Sequence, residues 1–216
     1  MRVLGESDIL FILAAARWTI LLSIVAFIGG GIGGLFVALA RTGEIKWLRV
    51  AMMAYIKVFQ GTPLLMQLFL AFFVPGIFGI NIDPWGAAAL GLSLHASAFL
   101  GEIWRGCIEV VPKGQWEAAR ALGLSYFPRM FLIILPQAYR IAIPPSIGFL
   151  VQLIKGTSLA SIIGFVELMR AGQIVNNATF RPFTIFGIIA LVYLLICRPL
   201  SAYSRIIERR LTVASR

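Results

Sequence analysis

Polar side chains inside long apolar runs are the residues of this sequence best suited to bind a solute. A charged or amide side chain is costly at membrane depth, so it usually faces a cavity or a partner. His95 and Glu102 are seven residues apart in one apolar run, which places them two turns apart on nearly the same helix face. Such residues could line a pocket for a solute that carries an ammonium and a carboxylate group. The candidate pathway residues are His95, Ser97, Glu102, Gln152, Lys155, Thr157 and Ser158.

Each of these residues also has a plain structural interpretation. Glu102 lies near the end of its apolar run and can pair with Arg105, three residues further on, in a helical ion pair. His95 can pack or make a hydrogen bond between helices. If a binding pocket exists, Glu102 is the candidate acceptor for the ammonium group and Lys155 is a candidate donor for the carboxylate. The sequence leaves both interpretations open.

The patterns of an enzyme active site are absent from the sequence. No Gly-Lys pair occurs, so the chain has no phosphate-binding Walker loop, and no Ser or Cys nucleophile is placed beside its one histidine. The run Gly29 to Gly34 matches the dinucleotide fingerprint formally, but no strand precedes it. We interpret Gly30 and Gly34 as positions of close helix packing. We therefore expect no enzymatic activity, no cofactor and no metal site in this chain.

The longest polar stretch predicts a short helix of its own. It runs from Arg105 to Arg129, between two apolar runs, and its segment Gln115 to Leu122 is a good helix former that Gly123 stops. Two alanines give this helix a small-residue face that another protein can approach closely, and Glu117 adds a charge. These features predict a docking helix, with an ordinary surface helix as the alternative.

The spacing inside this stretch is specific. It reads Glu117-Ala118-Ala119, three residues, Gly123, nine residues, and then Ile133-Ile134-Leu135-Pro136. This pattern is similar to the EAA loop of ABC importer permeases, and every defining position is present. The resemblance implies a coupling loop at about residues 107–130, whose helix sits in a groove of the nucleotide-binding subunit and carries its ATP-driven motion into the membrane. The residues that it assigns to ATPase coupling are Glu117, Ala118, Ala119 and Gly123.

Further segments resemble the polar amino acid subfamily of these permeases, which serves histidine, glutamine, arginine and cystine. The resemblance runs from Thr19 to Leu211 and rests on Gly61 to Leu65 with Gln67, Gly101 to Gly106, Val111 to Gln115, Leu135 to Ala138, and Arg181 to Phe183. It implies the type I ABC importer permease architecture, with a five-span core in a single permease domain, residues 1–216. The implied partners are a cytoplasmic ABC ATPase dimer that binds ATP and Mg, a second permease that is identical or homologous, and an extracytoplasmic amino-acid-binding protein.

Three positions depart from the subfamily pattern. Gln60 stands where arginine is common before Gly-Thr-Pro, and His95 stands where asparagine is frequent. Gly156 replaces an aspartate that, in some relatives, is placed to meet a cationic substrate side chain. The last departure argues against strict specificity for arginine or lysine.

The elements that must position these residues are membrane spans. The chain is 60% hydrophobic and 13% charged, with a mean hydropathy of +0.92, unlike a soluble domain. Its net charge of +10 is spread between apolar runs and not along one stripe, so we expect contact with membrane lipid and no nucleic acid. An all-α membrane protein with about five transmembrane helices and a cytoplasmic coupling helix is predicted, with spans at Trp18–Ala40, Leu64–Ile80, Trp85–Trp104, Phe131–Ile154 and Phe183–Tyr203.

Two of these spans are expected to be irregular. The second is short and contains Pro75, so it should borrow length from Val50 to Phe59, because a stub cannot satisfy its backbone in lipid. Pro144 and Pro145 should break the fourth.

The distribution of basic residues predicts the orientation. Five crossings place the termini on opposite faces, and the face richer in Lys and Arg is cytoplasmic. One face holds Arg2, Arg17, Lys155, Arg170 and Arg181, whereas the other holds fourteen: Arg41, Lys46, Arg49, Lys57, Arg105, Lys113, Arg120, Arg129, Arg140, Arg198, Arg205, Arg209, Arg210 and Arg216. The resemblance implies a bacterial inner membrane protein, and the basic residues predict an external N-terminus and a cytoplasmic C-terminus. The start, Met1 to Ala16, is interpreted as an interfacial lead-in and not as a secretory signal.

Together these features predict the permease subunit of an ATP-driven importer that moves polar amino acids into the cytoplasm by alternating access. A stand-alone secondary carrier or channel for small polar solutes is the alternative, but it would require an inverted repeat or several ion-coupling groups, and neither is visible. A membrane-anchored structural or signalling subunit would explain the basic surface without explaining the loop pattern.

Overall fold

The computed structural model describes residues 3–214, with side chains for residues 3–211, and this part of the chain is helical without strands. Arg2 and Arg216, which contribute to the predicted orientation, lie outside the described residues. The α-helices are α1 (Glu6–Thr42), α2 (Lys46–Gly61), α3 (Leu64–Ile77), α4 (Pro84–Val110), α5 (Lys113–Ala121), α6 (Tyr126–Pro128), α7 (Leu135–Gly156), α8 (Leu168–Thr179) and α9 (Pro182–Ala214). A π-helical turn (Arg129–Ile134) precedes α7, and a 3₁₀ helix (Thr157–Ile163) follows it.

Four helical stretches are long and apolar enough to cross a membrane: Glu6–Thr42, Pro84–Val110, Tyr126–Ile163 and Pro182–Leu211. The pair α2 and α3 provides a fifth if it is counted as one span. The expectation of an all-helical membrane protein with about five spans is therefore confirmed. With five crossings, the bundle has one end that carries α5 and the carboxyl ends of α1 and α4, called here the α5 end, and an opposite end that carries α8.

The first span begins earlier than predicted. From Glu6 the predicted lead-in is part of α1, which runs without interruption to Thr42, and its interfacial position stays a prediction. Asp8 in the first turn accepts a hydrogen bond from the Gly5 backbone N–H at 3.0 Å, and acidic residues suit a helix N-terminus. Ile12 is fully buried and packs against Leu168 of α8 and against α9, so the first turns of α1 belong to the protein core.

The second span is bent and not straight. Helices α2 and α3 meet at an angle of 107° across a short break at Thr62 and Pro63. Proline disfavours the helical conformation of the residue before it, so α2 ends at Gly61. The predicted contribution of Val50 to Phe59 exists as a separate helix, and the pair is either a broken span or a re-entrant loop.

The helices α1 and α4 pack closely through glycine. A Cβ atom added at Gly30 would overlap Ala96 of α4, and one added at Gly34 would lie 3.0 Å from the Leu100 Cβ. A Cβ atom at Gly101 would in turn overlap the Val37 side chain of α1. Two backbones approach at this distance only where small residues face each other. The predicted packing role of Gly30 and Gly34 is confirmed.

The third and fourth spans are both longer than predicted. Helix α4 begins at Pro84 because the Asp83 side chain accepts the Trp85 N–H at 3.1 Å and caps the helix.

The predicted break at Pro144 and Pro145 is wrong, because α7 continues through both prolines. Neighbouring helices hold this turn: Ser204 of α9 donates to the Pro144 carbonyl at 2.9 Å.

Candidate functional site

Helix α5 presents the predicted coupling residues at one end of the bundle. Glu117 and Ala118 are exposed, whereas Ala119 is 1% exposed and faces the protein. The expectation that both alanines form an accessible face is therefore wrong for Ala119. The small side chain of Ala119 instead allows α5 to pack closely against the rest of this chain. Gly123 ends the helix with φ +72°, and its N–H donates to the Arg120 carbonyl at 2.9 Å. Leu124 N–H donates to the Ala119 carbonyl at 3.1 Å, which completes the glycine-dependent end predicted from sequence.

An apolar cluster packs against the inner side of α5 and connects the ends of three spans. Its buried members come from α1, from α4 and the residue that follows it, from the π-helical turn and from α7: Ala38, Ile108, Val111, Met130, Ile134 and Ala138. Trp116 of α5 and Tyr126 of α6 pack against this cluster. A closely packed contact of this kind moves as a unit, because protein interiors have low compressibility.

Arg129 makes polar contacts beside this cluster. The sequence analysis did not identify it as a structural residue. It is 7% exposed, and its guanidinium lies 5.9 Å from the Trp116 ring centre and 5.8 Å from that of Tyr126. It also forms an ion pair with Glu44, in the α1–α2 connection, at 3.4 Å. Tyr126 OH donates to the Leu39 carbonyl of α1 at 3.2 Å. The loop is thus connected to α1 as well as to α7.

His95, the first predicted pathway residue, is held by Gln67. The Gln67 side-chain amide donates to the Phe59 carbonyl at 2.8 Å and to the Thr62 carbonyl at 3.0 Å, which fixes which end of the amide is nitrogen. Its oxygen, a pure acceptor, lies 2.9 Å from His95 Nδ1. His95 therefore carries its proton on Nδ1 when neutral, and Nε2 is left as an acceptor. The ring lies against Phe99, with centres 4.4 Å apart.

Ser97 lies on another side of α4 from His95. Its hydroxyl is 2.6 Å from Tyr55 OH of α2 and donates to the Leu94 carbonyl at 2.8 Å. A Cβ atom added at Gly33 of α1 would lie 2.8 Å from the Ser97 Cβ. Ser97 belongs to the contact between α1, α2 and α4, and the structure does not bring it to His95.

Glu102 is occupied by Arg105. The Arg105 Nε and one terminal nitrogen donate to the two Glu102 carboxylate oxygens at 2.9 and 2.6 Å. The same guanidinium also pairs with Glu109. Of the two interpretations left open by the sequence, the ion pair is the one observed. No hydrogen bond or ion pair joins Glu102 to His95 within the described residues.

The predicted residues at the end of α7 divide into two groups. Gln152 and Lys155 are exposed. Thr157 is fully buried and donates to the Ile154 carbonyl at 2.7 Å, and Ser158 donates to the Lys155 carbonyl at 2.7 Å. The side chains of Gln152 and Lys155 are thus accessible at the surface of this chain, whereas the two hydroxyls cap the end of their own helix.

A buried carboxylate at the end opposite α5 escaped the sequence analysis. Glu167 is fully buried and caps α8, accepting the N–H groups of Met169 at 2.9 Å and Arg170 at 2.8 Å. Thr19 of α1 donates to it at 3.4 Å and Tyr193 of α9 at 3.2 Å. The Glu167 side chain therefore ties α1, α8 and α9 together. The available signal was a lone acid between two spans, but no periodic pattern indicates that it is buried.

Loss of Glu167 is expected to weaken this end of the bundle. Glu167→Ala leaves the Met169 and Arg170 N–H groups without their acceptor, so the free energy of unfolding should fall by about 3 kcal/mol or more. Glu167→Gln keeps an acceptor oxygen and should cost about 1 kcal/mol. Thermal unfolding of the purified protein in lipid nanodiscs measures both, and equal losses would contradict the capping role.

The same carboxylate should make stability depend on pH. Burial raises the pKa of Glu167 above its ordinary value of 4.5. The folded state then holds this proton more tightly than the unfolded state, so the contribution to stability is complete below pH 4.5 and is lost as pH rises through the folded-state pKa. The difference in unfolding midpoint between the native chain and Glu167→Gln should change over that interval. A constant difference would contradict the assignment.

Comparisons with known proteins converge on one kind of molecule. A family model described as "binding-protein-dependent transport system inner membrane component" matches residues 30–213. The L-cystine transport system permease protein TcyB of Bacillus subtilis (strain 168) is 41% identical over 195 residues, which is 90% of this chain and 83% of that protein. The probable amino-acid ABC transporter permease protein YckA of the same organism is 38% identical and covers 93% of this chain and 88% of its own length.

A solved structure agrees with these relatives. The crystal structure of an amino acid ABC transporter with histidines contains a chain that superposes with a TM-score of 0.87 at 33% identity, covering 97% of this chain and all of that chain.

Proposed function

Because the chain belongs to the family of binding-protein-dependent transport system inner membrane components, we propose that it moves polar amino acids into the cytoplasm by alternating access. It is the permease component of an ABC amino-acid importer and a multi-pass inner membrane protein, and the ATPase is a separate subunit. The importer also includes a binding protein.

The observation that supports the mechanism best is the way in which α5 packs against the rest of the chain. Its outer face offers Glu117 and Ala118, while Trp116 and Ala119 are turned toward the chain and the adjoining cluster joins the ends of α1, α4 and α7. A displacement applied to the outer face would therefore reach three spans at once. Gly123 allows the chain to turn back at the end of α5, and the contacts of Arg129 extend the connection to the α1–α2 loop. These contacts support the assignment of Glu117, Ala118, Ala119 and Gly123 to ATPase coupling.

The complete importer has partners of defined roles. Two ATPase subunits bind ATP and Mg, and their closure acts on two α5 helices, one from this chain and one from a second permease that is identical or homologous. The pathway opens outward on closure and inward after hydrolysis. The extracytoplasmic binding protein delivers the amino acid. In this arrangement the α5 end is cytoplasmic, the C-terminus is inside and the N-terminus is outside, in agreement with the distribution of Lys and Arg.

The solute pathway runs past His95 and the end of α7. Gln67 directs the His95 proton to Nδ1, so Nε2 can accept a hydrogen bond from the ammonium group of an amino acid. Lys155, which is exposed and has no ion-pair partner in the described part of the chain, suits the carboxylate. Gln152 lies one turn before Lys155 on α7. Glu102 is a weaker acceptor than the sequence suggested, because Arg105 occupies both of its oxygens.

Transport by reconstituted vesicles tests the proposed function. The complex of permeases and ATPase is placed in vesicles with ATP inside, together with its binding protein and labelled glutamine, cystine or histidine. Uptake should require all three components and ATP. Accumulation by this chain alone, without an ATPase, would show a secondary carrier or channel and would overturn the proposal.

Substitution of His95 should separate solute binding from folding. His95→Leu removes the acceptor atom while keeping similar volume, and a hydrogen bond to a charged group contributes about 1.5–3 kcal/mol, so uptake efficiency should fall about 10- to 100-fold. ATP hydrolysis without solute should persist. Ser97→Ala is the matched control on the same helix, because Ser97 lies at a helix contact. Equal uptake in the two variants would contradict a role of His95 in the pathway.

A further inference from the structure

A two-part groove lies between α1, α4 and α7 toward the α5 end. Its apolar part has a volume of about 450 Å³ and is lined by residues such as Leu35, Trp104 and Ala142. Its polar part has a volume of about 310 Å³ and is lined by Arg41, Arg49 and other residues. Ile108 lines both parts, so they lie next to each other. Each is within the size range of small-ligand sites, about 300–1,000 Å³.

The polar part has unused positive charge. Among the described residues, Arg41 donates only to the Arg49 carbonyl, at 3.5 Å, and its buried Nε has no acceptor. Arg49 donates to the Gly43 carbonyl at 2.6 Å. Neither guanidinium forms an ion pair within the described residues. The nearby acids are Glu109, which lines the same pocket, and Glu102, which interacts with Arg41 at longer range, and both already pair with Arg105. The chain therefore supplies fewer acceptors here than the two guanidinium groups can use.

The position of the groove matches the depth of a phospholipid. The apolar stretch Trp18 to Ala40 of α1 ends immediately before Arg41, so Arg41 stands where hydrocarbon gives way to head groups. The apolar part extends from there along the spans, past Trp104 and Ile147. Basic pockets between membrane helices recognise anionic lipid head groups. A soluble anion would use the polar part and leave the apolar part without an occupant.

We propose that an anionic phospholipid binds in this groove, with its phosphate at Arg41 and Arg49 and one acyl chain in the apolar part along Trp104 and Ala142. The groove borders the inner side of α5 at Trp116, whereas Glu117 and Ala118 of the outer face do not line it. Lipid binding here does not require that α5 couples to an ATPase.

Photolabelling of the intact complex tests this site. The importer is placed in nanodiscs that contain phosphatidylcholine and a graded fraction of phosphatidylglycerol with a diazirine in one acyl chain, and the labelled peptides are identified by mass spectrometry. Peptides of α4 and α7 that line the apolar part should be labelled. A phosphatidylcholine with the same diazirine should label them several-fold less, because its phosphate is neutralised by choline.

Variants separate the two parts of the site. Near a membrane surface each basic residue strengthens anionic lipid binding about 5-fold, so Arg41→Gln with Arg49→Gln should raise the half-saturating lipid fraction about 30-fold. Lys46→Gln, a basic residue at the start of α2 that does not line the groove, is the control and should leave labelling unchanged. Ala142→Phe should fill the apolar part and lower labelling, and its unfolding temperature is measured alongside because Ala142 is only 8% exposed.

Three different results would contradict the proposed lipid site. Equal labelling by the two lipids, or unchanged labelling in the double arginine variant, would show that no anion-selective site exists. Competition by millimolar inorganic phosphate would identify a soluble anion as the ligand. Protection of the groove by the second permease, seen as cross-links from Ala142→Cys to that subunit and absence of lipid label, would assign the groove to the protein interface.

Discussion

Uptake is expected to fall at least about 100-fold when Glu117 is replaced by lysine, because the change reverses the charge of the face that the ATPase should contact. Opposing like charges across an interface cost several kcal/mol, which corresponds to a factor of that size. Glu117 is exposed and makes no ion pair within the described residues, so the fold itself should be unaffected. Co-purification of the ATPase with tagged permease and ATP-dependent uptake are the two measurements.

Controls on the same helix distinguish charge from shape. Lys113→Gln changes an exposed charge of α5 outside the four coupling positions and should retain uptake. Ala118→Leu adds bulk to the outer face without charge and should also reduce co-purification, if the ATPase approaches this face closely. The unfolding temperature of each variant in nanodiscs should stay at the native value. Retention of both ATPase binding and uptake in Glu117→Lys would remove the basis for the docking role.

The contact between α1 and α4 should not tolerate a larger residue at Gly30. A Cβ atom there would overlap Ala96 and lie 3.0 Å from the Ala96 backbone carbonyl carbon, so leucine must force the two helices apart. Overpacking of a core costs about 1–3 kcal/mol when side chains can adjust, and a clash with backbone removes that freedom. Gly30→Leu should therefore abolish recovery of folded protein, measured as the monodisperse fraction after extraction in mild detergent.

A second glycine shows whether the loss is local. Gly187 of α9 has no atom within 4 Å of the position that a Cβ would take. Gly187→Leu should be neutral or slightly stabilising in the helix, because glycine is the weaker helix former by about 1 kcal/mol. Gly30→Ala should give an intermediate loss. Normal recovery of Gly30→Leu would mean that α1 does not pack against α4 in the membrane.

The parts of the fold that depend on local pattern could be predicted. Apolar runs of sufficient length gave the spans, because lipid requires each crossing to satisfy its own backbone. Gly123 predicted the end of α5 since its left-handed conformation suits glycine. Gly30 and Gly34 predicted a close helix contact because their spacing puts both on one face. In each case the signal lies within a few residues of the structure that it specifies.

The partners of polar side chains could not be predicted. Ser97 follows His95 by only two positions, but a helix turns about 200° over that interval, so the two residues serve different contacts. Gln67 finds its acceptors at Phe59 and Thr62 only because α2 and α3 are bent toward each other. Glu167 depends on Thr19, far away in the sequence. Such pairings are set by tertiary structure, and single-sequence periodicity does not encode them.

The Glu167 contacts also bear on the order in which the chain is completed during synthesis. Thr19 lies in α1, but its partner Glu167 follows 148 residues later, and Tyr193 follows 26 residues after that. In a nascent chain that stops before α9, Glu167 lacks the Tyr193 hydroxyl as a hydrogen-bond donor. A buried carboxylate with too few donors is energetically unfavourable. Fragments that end before α9 should therefore pack incompletely at the end of the bundle that carries α8.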